Sequence, residues 1–287
     1  MAVAVLTGCS ASHAAAKDPS PSSPAASASP PSPSPTRTAT EVKVAGGALT
    51  KSIRGYLKTR PGELSVAVRD QATGASYTFN TSLRTVTASI VKADILATLL
   101  LQAQKSGHGL TVSQKALATR MIEASDNNAA SALWNQIGRG AGLAAGNRKL
   151  KFRNTVPGAG GAWGTTRTSA ADQLRLLTAI ASRTSPLSAA SRAYILKLMS
   201  EVEDYQSWGV SAAADDGDDI ALKNGWLPRQ VDGGTWTINS IGRIKGDDHD
   251  YLIAAISQGH PSMAAGIATV EHVTRMVGRA LGDAAGQ

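Results

Sequence analysis

A serine followed three residues later by a lysine is the pair in this chain best suited to nucleophilic catalysis. Ser89-Ile90-Val91-Lys92 is the only segment with that spacing. On a helix the two side chains share one face. A serine hydroxyl becomes a good nucleophile when a base removes its proton, and a lysine is such a base when burial lowers its pKa. The segment predicts acyl transfer to Ser89 with Lys92 as general base, against the alternative of a helix-capping serine beside a surface lysine.

Ser125-Asp126-Asn127 carries polar groups that the same chemistry needs. We predict that Ser125 relays a proton between Lys92 and the leaving group, and that Asn127 hydrogen-bonds a substrate amide. Asp126 is expected to brace the turn between two helices. The alternative is an ordinary helix start, because Ser and Asp are both favoured N-caps.

Lys223-Asn224-Gly225 falls on a predicted strand and is the third segment. Lys223 can attract a substrate carboxylate, Asn224 can donate an amide hydrogen to it, and Gly225 permits close approach of a ligand to the strand. The backbone N–H of Trp226 is expected to complete an oxyanion hole with that of Ser89, and one such donor is typically worth about a hundredfold or more in rate. The alternative is a strand that simply turns at Gly225.

The predicted elements place these segments around one cleft. Their order is a helix, two hairpin strands, a block of helices, three strands and a closing helix. Ile90 to Gln104 is apolar and predicts a buried helix, whereas Gly138 to Gly164 is rich in glycine and predicts a loop. We expect an α/β chain of the α+β type, in which both chain ends build one largely antiparallel sheet flanked by helices. A helical lobe at about 95–205 is inserted in the middle.

The composition argues against several other classes of function. The formal net charge is +8, with basic residues clustered at Arg148, Lys149, Lys151 and Arg153, which indicates either a solvated basic surface or attraction to an anionic envelope. The five histidines lack metal-ligand spacing, and the four aspartates within 215–219 predict a solvated turn. We expect no metal, no cofactor and no nucleic-acid partner.

The first 45 residues differ in composition from the rest of the chain. Leu6-Thr7-Gly8-Cys9 resembles a bacterial lipobox, so residues 1–9 are predicted to be the end of a signal peptide with Cys9 as the lipidated residue. The alternative is a free thiol in an accidental stretch of small residues. Residues 10–45 are rich in Ser, Ala and Pro and predict a disordered, extended spacer. We expect a monomeric, membrane-anchored extracytoplasmic lipoprotein whose folded domain is 46–287.

The three motifs in this order resemble the class A β-lactamase and penicillin-binding-protein superfamily of serine hydrolases. The resemblance covers about residues 46–281, and Met121 to Trp134 is especially similar to the family. It implies a β-lactamase/transpeptidase-like fold and a β-lactam or a peptidoglycan-derived peptide as ligand. The implied roles are Ser89 as nucleophile, Lys92 as general base, Ser125 as proton relay, Asn127 as amide contact and Lys223 as carboxylate anchor.

Three features depart from the family pattern. The interval from Ser89 to Ser125 is short, and Asn224 stands where the family has Thr or Ser. No Asp or Glu occurs between Asp126 and Asp172, where the family loop carries the glutamate that activates the deacylating water. Because losing a positioned general base typically costs about 10² to 10⁴ in rate, we expect acylation followed by slow release. A D-alanyl peptidase-like cell-wall enzyme, or a non-catalytic lipoprotein that binds muropeptides or a partner, are the alternatives.

Overall fold

The computed structural model describes residues 46–285. The predicted signal peptide, Cys9 and the spacer at 10–45 lie outside the described residues. None of the helices in the described part is long and apolar enough to cross a bilayer. The helices are α1 (Gly46–Leu57), α2 (Val91–Lys105), α3 (Val112–Ile122), α4 (Asn127–Gln136), α5 (Arg139–Lys149), α6 (Ala170–Ala181), α7 (Ala189–Ser200) and α8 (Met263–Ala285). The strands are β1 (Glu63–Asp70), β2 (Ser76–Phe79), β3 (Thr85–Val86), β4 (Arg167–Thr168), β5 (Asp219–Arg229), β6 (Thr235–Lys245) and β7 (Asp250–His260).

Five strands form one antiparallel sheet in the order β2-β1-β7-β6-β5. The N-terminal strand β1 pairs along its whole length with β7, from Glu63 opposite Gln258 to Asp70 opposite Tyr251. Both chain ends therefore build the sheet, which confirms the predicted α+β class.

The two faces of the sheet carry different halves of the core. Because side chains alternate along a strand, Val66 and Val68 of β1 pack on the face covered by α1 and α8, while Ala67 packs on the face covered by α6 and the helical lobe. The lobe core is built around α2. Every residue of that helix from Val91 to Leu101 is buried, which confirms the predicted buried helix.

The predicted loop at Gly138 to Gly164 was wrong in its first half, because Arg139–Lys149 forms α5. Gly146 explains why a glycine-rich sequence is helical here. A Cβ on Gly146 would collide with the side chain of Thr98 on α2, so the missing side chain lets the two helices approach closely. Gly146 therefore serves helix packing instead of turn formation.

Two short strands that the sequence did not predict tie the lobe to the sheet. Thr85 pairs with Thr168, and Val86 pairs with Arg167. The first of these strands leads directly into the turn that carries Ser89, and the second follows the loop at 152–166. The loop and the serine are therefore fixed to each other through one backbone ladder.

Candidate active site

Ser89 lies in a single 3₁₀ turn, Ala88–Ile90, immediately before α2. The residue before it, Ala88, has a φ of 46°, in the left-handed region that costs a non-glycine residue roughly 1 kcal/mol or more. The turn is held from two sides: the Thr87 N–H donates to Thr166 O at 2.7 Å, and the Asn239 amide donates to Thr87 O at 3.0 Å. The serine is therefore presented on a strained turn that neighbouring elements hold in place.

Lys92 is fully buried one helical turn after Ser89. Its ammonium donates three hydrogen bonds, to Ser125 O at 2.6 Å, to Ser125 Oγ at 2.9 Å and to Asn127 Oδ1 at 2.8 Å. Among the described residues, Ser89 Oγ is not one of its partners. Burial lowers the pKa of Lys92 to about 8, against a smaller opposing effect of the Asp126 charge. A neutral Lys92 keeps two protons, so loss of the third would leave a lone pair on Nζ.

The start of α4 positions Ser125 and Asn127. Asp126 is the N-cap, and its carboxylate accepts from Asn128 N at 2.7 Å and Ala129 N at 3.0 Å. The same carboxylate accepts from Arg120 Nε at 2.9 Å. Asp126 therefore starts α4 and braces the turn at the same time. Its hydrogen bonds hold Ser125 and Asn127 against Lys92.

Lys223 is fully buried on β5, and its ammonium donates to Gln206 Oε1 at 3.2 Å and to Asn224 O at 3.3 Å. Burial lowers the pKa of Lys223 to about 7, and the positive charge of Lys92 adds to that effect. The two lysines of distant motifs are thus close enough to influence each other. No sequence motif predicted Gln206 as a partner of Lys223.

Asn224 does not offer its amide to the site, which corrects the predicted substrate contact. Its Nδ2 donates to Gln206 O at 2.6 Å and to Trp208 O at 2.8 Å, so both hydrogens are taken by backbone carbonyls. The physical reason is the alternation of side chains along β5, which turns Asn224 away from the face that carries Lys223 and Gly225.

Gly225 brings the backbone of β5 against the turn that carries the serine. A Cβ at this position would lie 2.7 Å from Ser89 N and 2.7 Å from Thr87 O, distances that no side chain tolerates. The strand therefore passes directly beside the Ser89 N–H. This approach agrees with an oxyanion hole between the N–H groups of Ser89 and Trp226, which stays a prediction.

An indole from the loop that lacks a carboxylate lies beside Lys92. The centre of the Trp163 ring is 5.0 Å from Lys92 Nζ, and its Nε1–H donates to Ser131 Oγ at 3.1 Å. Within the described region, Asp126 is the only carboxylate whose charge acts on the pKa of Lys92, and it is engaged by Arg120 and the α4 cap. The sequence did not distinguish Trp163 from the other four tryptophans.

The loop that carries Trp163 is fixed by a buried carboxylate on α6. Asp172 accepts from Arg153 N at 3.0 Å, from Asn154 N at 2.6 Å and from Thr155 Oγ1 at 2.8 Å, and it pairs with Arg175 at 2.6 Å. The loop is therefore anchored at its start by Asp172 and at its end by β4. This anchoring gives the indole a defined position beside Lys92.

The predicted solvated acidic turn is more ordered than expected. The Asp218 side chain is only 5% exposed, contacts His249 Nε2 at 3.0 Å and accepts from Asp215 N at 2.8 Å. Asp215, Asp218 and His249 have potential ligand atoms within 4.8 Å of one another, so they are the described residues most able to hold a cation. Asp218 is already hydrogen-bonded to the Asp215 backbone and to the His249 ring, and none of the three residues belongs to the cleft motifs.

The sequence model of the beta-lactamase enzyme family matches residues 101–281. The chain belongs to this family. The match begins after Ser89 and Lys92, so the Ser-x-x-Lys segment lies outside the matched residues. A relative in Mycobacterium tuberculosis and Mycobacterium bovis, named "Putative lipoprotein LppW", is 28% identical over 221 residues, which is 74% of this chain and 68% of the relative.

Solved structures of the same fold include both penicillin-binding proteins and β-lactamases. An acyl-enzyme complex of a PBP-A variant with penicillin G superposes with a TM-score of 0.71 at 19% identity, covering 83% of this chain and 97% of that one. A class A beta-lactamase from Bacteroides cellulosilyticus gives 0.72 at 15% identity, covering 83% and 98%. At these identities the likeness establishes the beta-lactamase-family fold alone.

Proposed function

We propose that this protein is a serine hydrolase that forms an acyl-enzyme at Ser89 from a β-lactam or related amide and releases the acyl group slowly. The observation that carries the proposal is the surroundings of Lys92. This lysine has a lowered pKa and donates a hydrogen bond to Ser125 Oγ, and an indole instead of a carboxylate lies beside it. The first feature supports acylation, and the second supports slow release.

Acylation uses groups that lie on either side of the cleft. Neutral Lys92 takes the proton of Ser89 Oγ as that oxygen bonds to the carbonyl carbon of the substrate. The carbonyl π electrons move to oxygen, where the N–H groups of Ser89 and Trp226 stabilise the charge. When the carbonyl re-forms, the C–N bond breaks, and the leaving nitrogen receives a proton from Ser125 Oγ, which Lys92 replaces through the 2.9 Å hydrogen bond.

Lys223 is proposed to bind the carboxylate of the substrate. In the free protein its only side-chain acceptor among the described residues is the neutral Gln206, so the charged form is poorly compensated. A substrate carboxylate would raise the pKa of Lys223 and restore the charge at physiological pH. Substrates with a free carboxylate beside the scissile amide therefore fit this cleft best.

Release of the acyl group requires water to be activated, and Trp163 cannot do this. An indole N–H donates hydrogen bonds but accepts none, and here it is bonded to Ser131. With no carboxylate in the loop, deacylation is expected to be slower by about 10² to 10⁴ than with a positioned base. The acyl-enzyme should therefore accumulate.

The test is a time course of intact mass after mixing the purified chain with benzylpenicillin. We expect a gain equal to the whole penicillin molecule within minutes and its loss over hours. A Ser89→Ala variant, as the matched control, should stay unmodified. Failure of the native chain to gain mass at any penicillin concentration would contradict the proposal.

A D-alanyl peptidase-like activity is the second candidate, and the absence of a carboxylate from the loop favours it. Peptide amides acylate the same serine, and an incoming amine, which is a stronger nucleophile than water, can resolve the intermediate without a loop carboxylate. Release of D-alanine from an acyl-D-Ala-D-Ala peptide faster than hydrolysis of penicillin would select this candidate. A biological effect that survives in the Ser89→Ala variant would instead favour a muropeptide- or partner-binding lipoprotein.

We also propose that Cys9 is lipidated and that residues 10–45 tether the domain to the outer face of a membrane. The lipoprotein name of the mycobacterial relative supports this proposal. Metabolic labelling with a fatty-acid analogue should mark the native chain, and a Cys9→Ala variant should be unlabelled and released from membranes. Equal labelling of both would contradict it.

A further inference from the structure

A second concave surface lies on the lobe-facing side of the sheet, at the edge formed by β1 and β2. It is separate from the candidate active site, because Lys223 is on β5 at the opposite edge of the sheet. The surface is a groove of about 490 Å³ between the edge formed by β1 and β2, the end of α5 and the exposed side of α6. Five of its lining residues are basic and none is acidic: Arg69, Lys149, Lys151, Arg153 and Arg175. We call this surface the basic groove.

Most of the positive charge in the basic groove is uncompensated. Arg175 pairs with the buried carboxylate of Asp172. The acidic side chains of residues 46–285 form no salt bridge with the other four basic residues. All four are exposed at the rim. Like charges held close together repel, so a net charge of about four positive units here favours an anionic occupant.

Lys151 occupies a backbone position where glycine is preferred. It has a φ of 61° directly after α5, where the Phe152 N–H donates to Asn147 O at 2.9 Å and the Lys151 N–H donates to Arg148 O at 3.2 Å. This is the Schellman arrangement, whose left-handed residue is usually glycine. A lysine at this position strains the backbone and adds a cation to the rim.

The floor of the basic groove is mostly apolar, and five Ser and Thr residues also line the groove. The floor includes Leu150 from the end of α5, Leu174 and Ala171 from α6, and Ala67 from β1. A polyanion such as a nucleic acid needs only the charged rim and gains nothing from such a floor. A molecule with a phosphate beside hydrocarbon uses both.

We propose that the basic groove binds the headgroup region of an anionic phospholipid, with the phosphate at the lysine and arginine rim and the glycerol and first methylenes on the floor. A cluster of Lys and Arg side chains at a surface attracts anionic lipid headgroups. The proposal does not depend on the chemistry at Ser89.

The test is sedimentation of the full chain, carrying Cys9→Ser so that no covalent lipid contributes, with vesicles of phosphatidylcholine containing phosphatidylglycerol. Each basic residue at an anionic surface is worth roughly a fivefold change in partitioning, so Lys149→Gln/Lys151→Gln/Arg153→Gln should weaken binding about a hundredfold. The matched control Lys51→Gln/Lys58→Gln/Lys115→Gln removes the same charge from exposed positions on α1, just after α1 and on α3, and should weaken binding less than tenfold.

A second variant separates binding from folding. Lys151→Gly should bind vesicles roughly fivefold more weakly while its melting temperature stays equal or rises, because glycine relieves the left-handed position. Three results would overturn the proposal: equal losses in the two triple variants, undiminished binding by Lys151→Gly, or displacement by soluble polyphosphate as effective as displacement by short-chain phosphatidylglycerol.

Discussion

Replacing Trp163 with glutamate tests the proposed link between the loop and the rate of release. The new carboxylate would lie where the indole now lies, about 5 Å from Lys92 Nζ. It could activate water, so deacylation should accelerate by about 10² or more. The matched control is Trp163→Gln, because glutamine has the size and hydrogen-bonding reach of glutamate without its charge.

The same carboxylate should slow acylation, and the structure gives the size of that effect. Two unit charges about 5 Å apart interact by about 3 kcal/mol at an effective dielectric constant of 20 and by about half that at 40, a range suited to the half-buried loop. Since one pKa unit is about 1.4 kcal/mol, the pKa of Lys92 should rise by roughly one to two units. The neutral fraction at pH 7, and with it the acylation rate, should fall about tenfold to a hundredfold.

The assay is mass spectrometry or stopped-flow fluorescence of the acyl-enzyme, with formation and decay measured separately from pH 6 to 10. Relative to Trp163→Gln, the Glu variant should release faster, and its acylation should reach its midpoint at a higher pH. Equal decay rates and equal midpoints for the two variants would refute the reasoning, because they would mean that this position does not act on Lys92 or on the deacylating water.

Three further predictions follow from the buried polar groups. Acylation by a carboxylate-bearing β-lactam should follow a bell-shaped pH profile with its maximum between about 7 and 8, because Lys223 must be charged and Lys92 neutral. Lys92→Met should lower the acylation rate by about 10² to 10⁴. A flat pH profile in the native chain would contradict these roles. Both lysines have folded pKa values below the unfolded one, so the unfolded state binds more protons and the free energy of unfolding should rise from about pH 7 towards 10. Lys223→Met should accordingly raise the melting temperature at pH 7 while weakening substrate binding, and a lower melting temperature would count against a costly buried charge. Asn224→Ala should lower the free energy of unfolding by about 1 to 3 kcal/mol, because it leaves two buried carbonyls without donors; unchanged stability in denaturant titrations would count against that structural role.

The sequence predicted the fold well where a strong local pattern agrees with the tertiary structure. Apolar residues at every second position of β1 (Leu64, Val66 and Val68) pack into one core cluster, and the continuous apolar run of α2 packs into the other. Glycine misled the prediction in α5, because Gly146 is needed for contact with α2, a long-range cause that a local window cannot contain.

Within the candidate site, the types of the residues were predictable but their directions were not. Lys92, Ser125 and Asn127 come together because a helix start and a buried helix face each other. Whether Asn224 points towards the cleft depends on which face of β5 it occupies, and Gln206 and Trp163 enter through loops whose paths depend on distant anchors such as Asp172. The positions of Gln206 and Trp163 depend on contacts between residues far apart in the chain, and a local sequence pattern cannot predict such contacts.

The most direct test of the central proposal is to locate the acyl group after reaction of the native chain with benzylpenicillin. Digestion and peptide mapping should find the adduct on the peptide that contains Ser89, and Ser125→Ala should keep that location while forming the adduct more slowly. An adduct on any other residue, or one that forms equally fast in a Lys92→Met variant, would contradict the proposal that Lys92 activates Ser89.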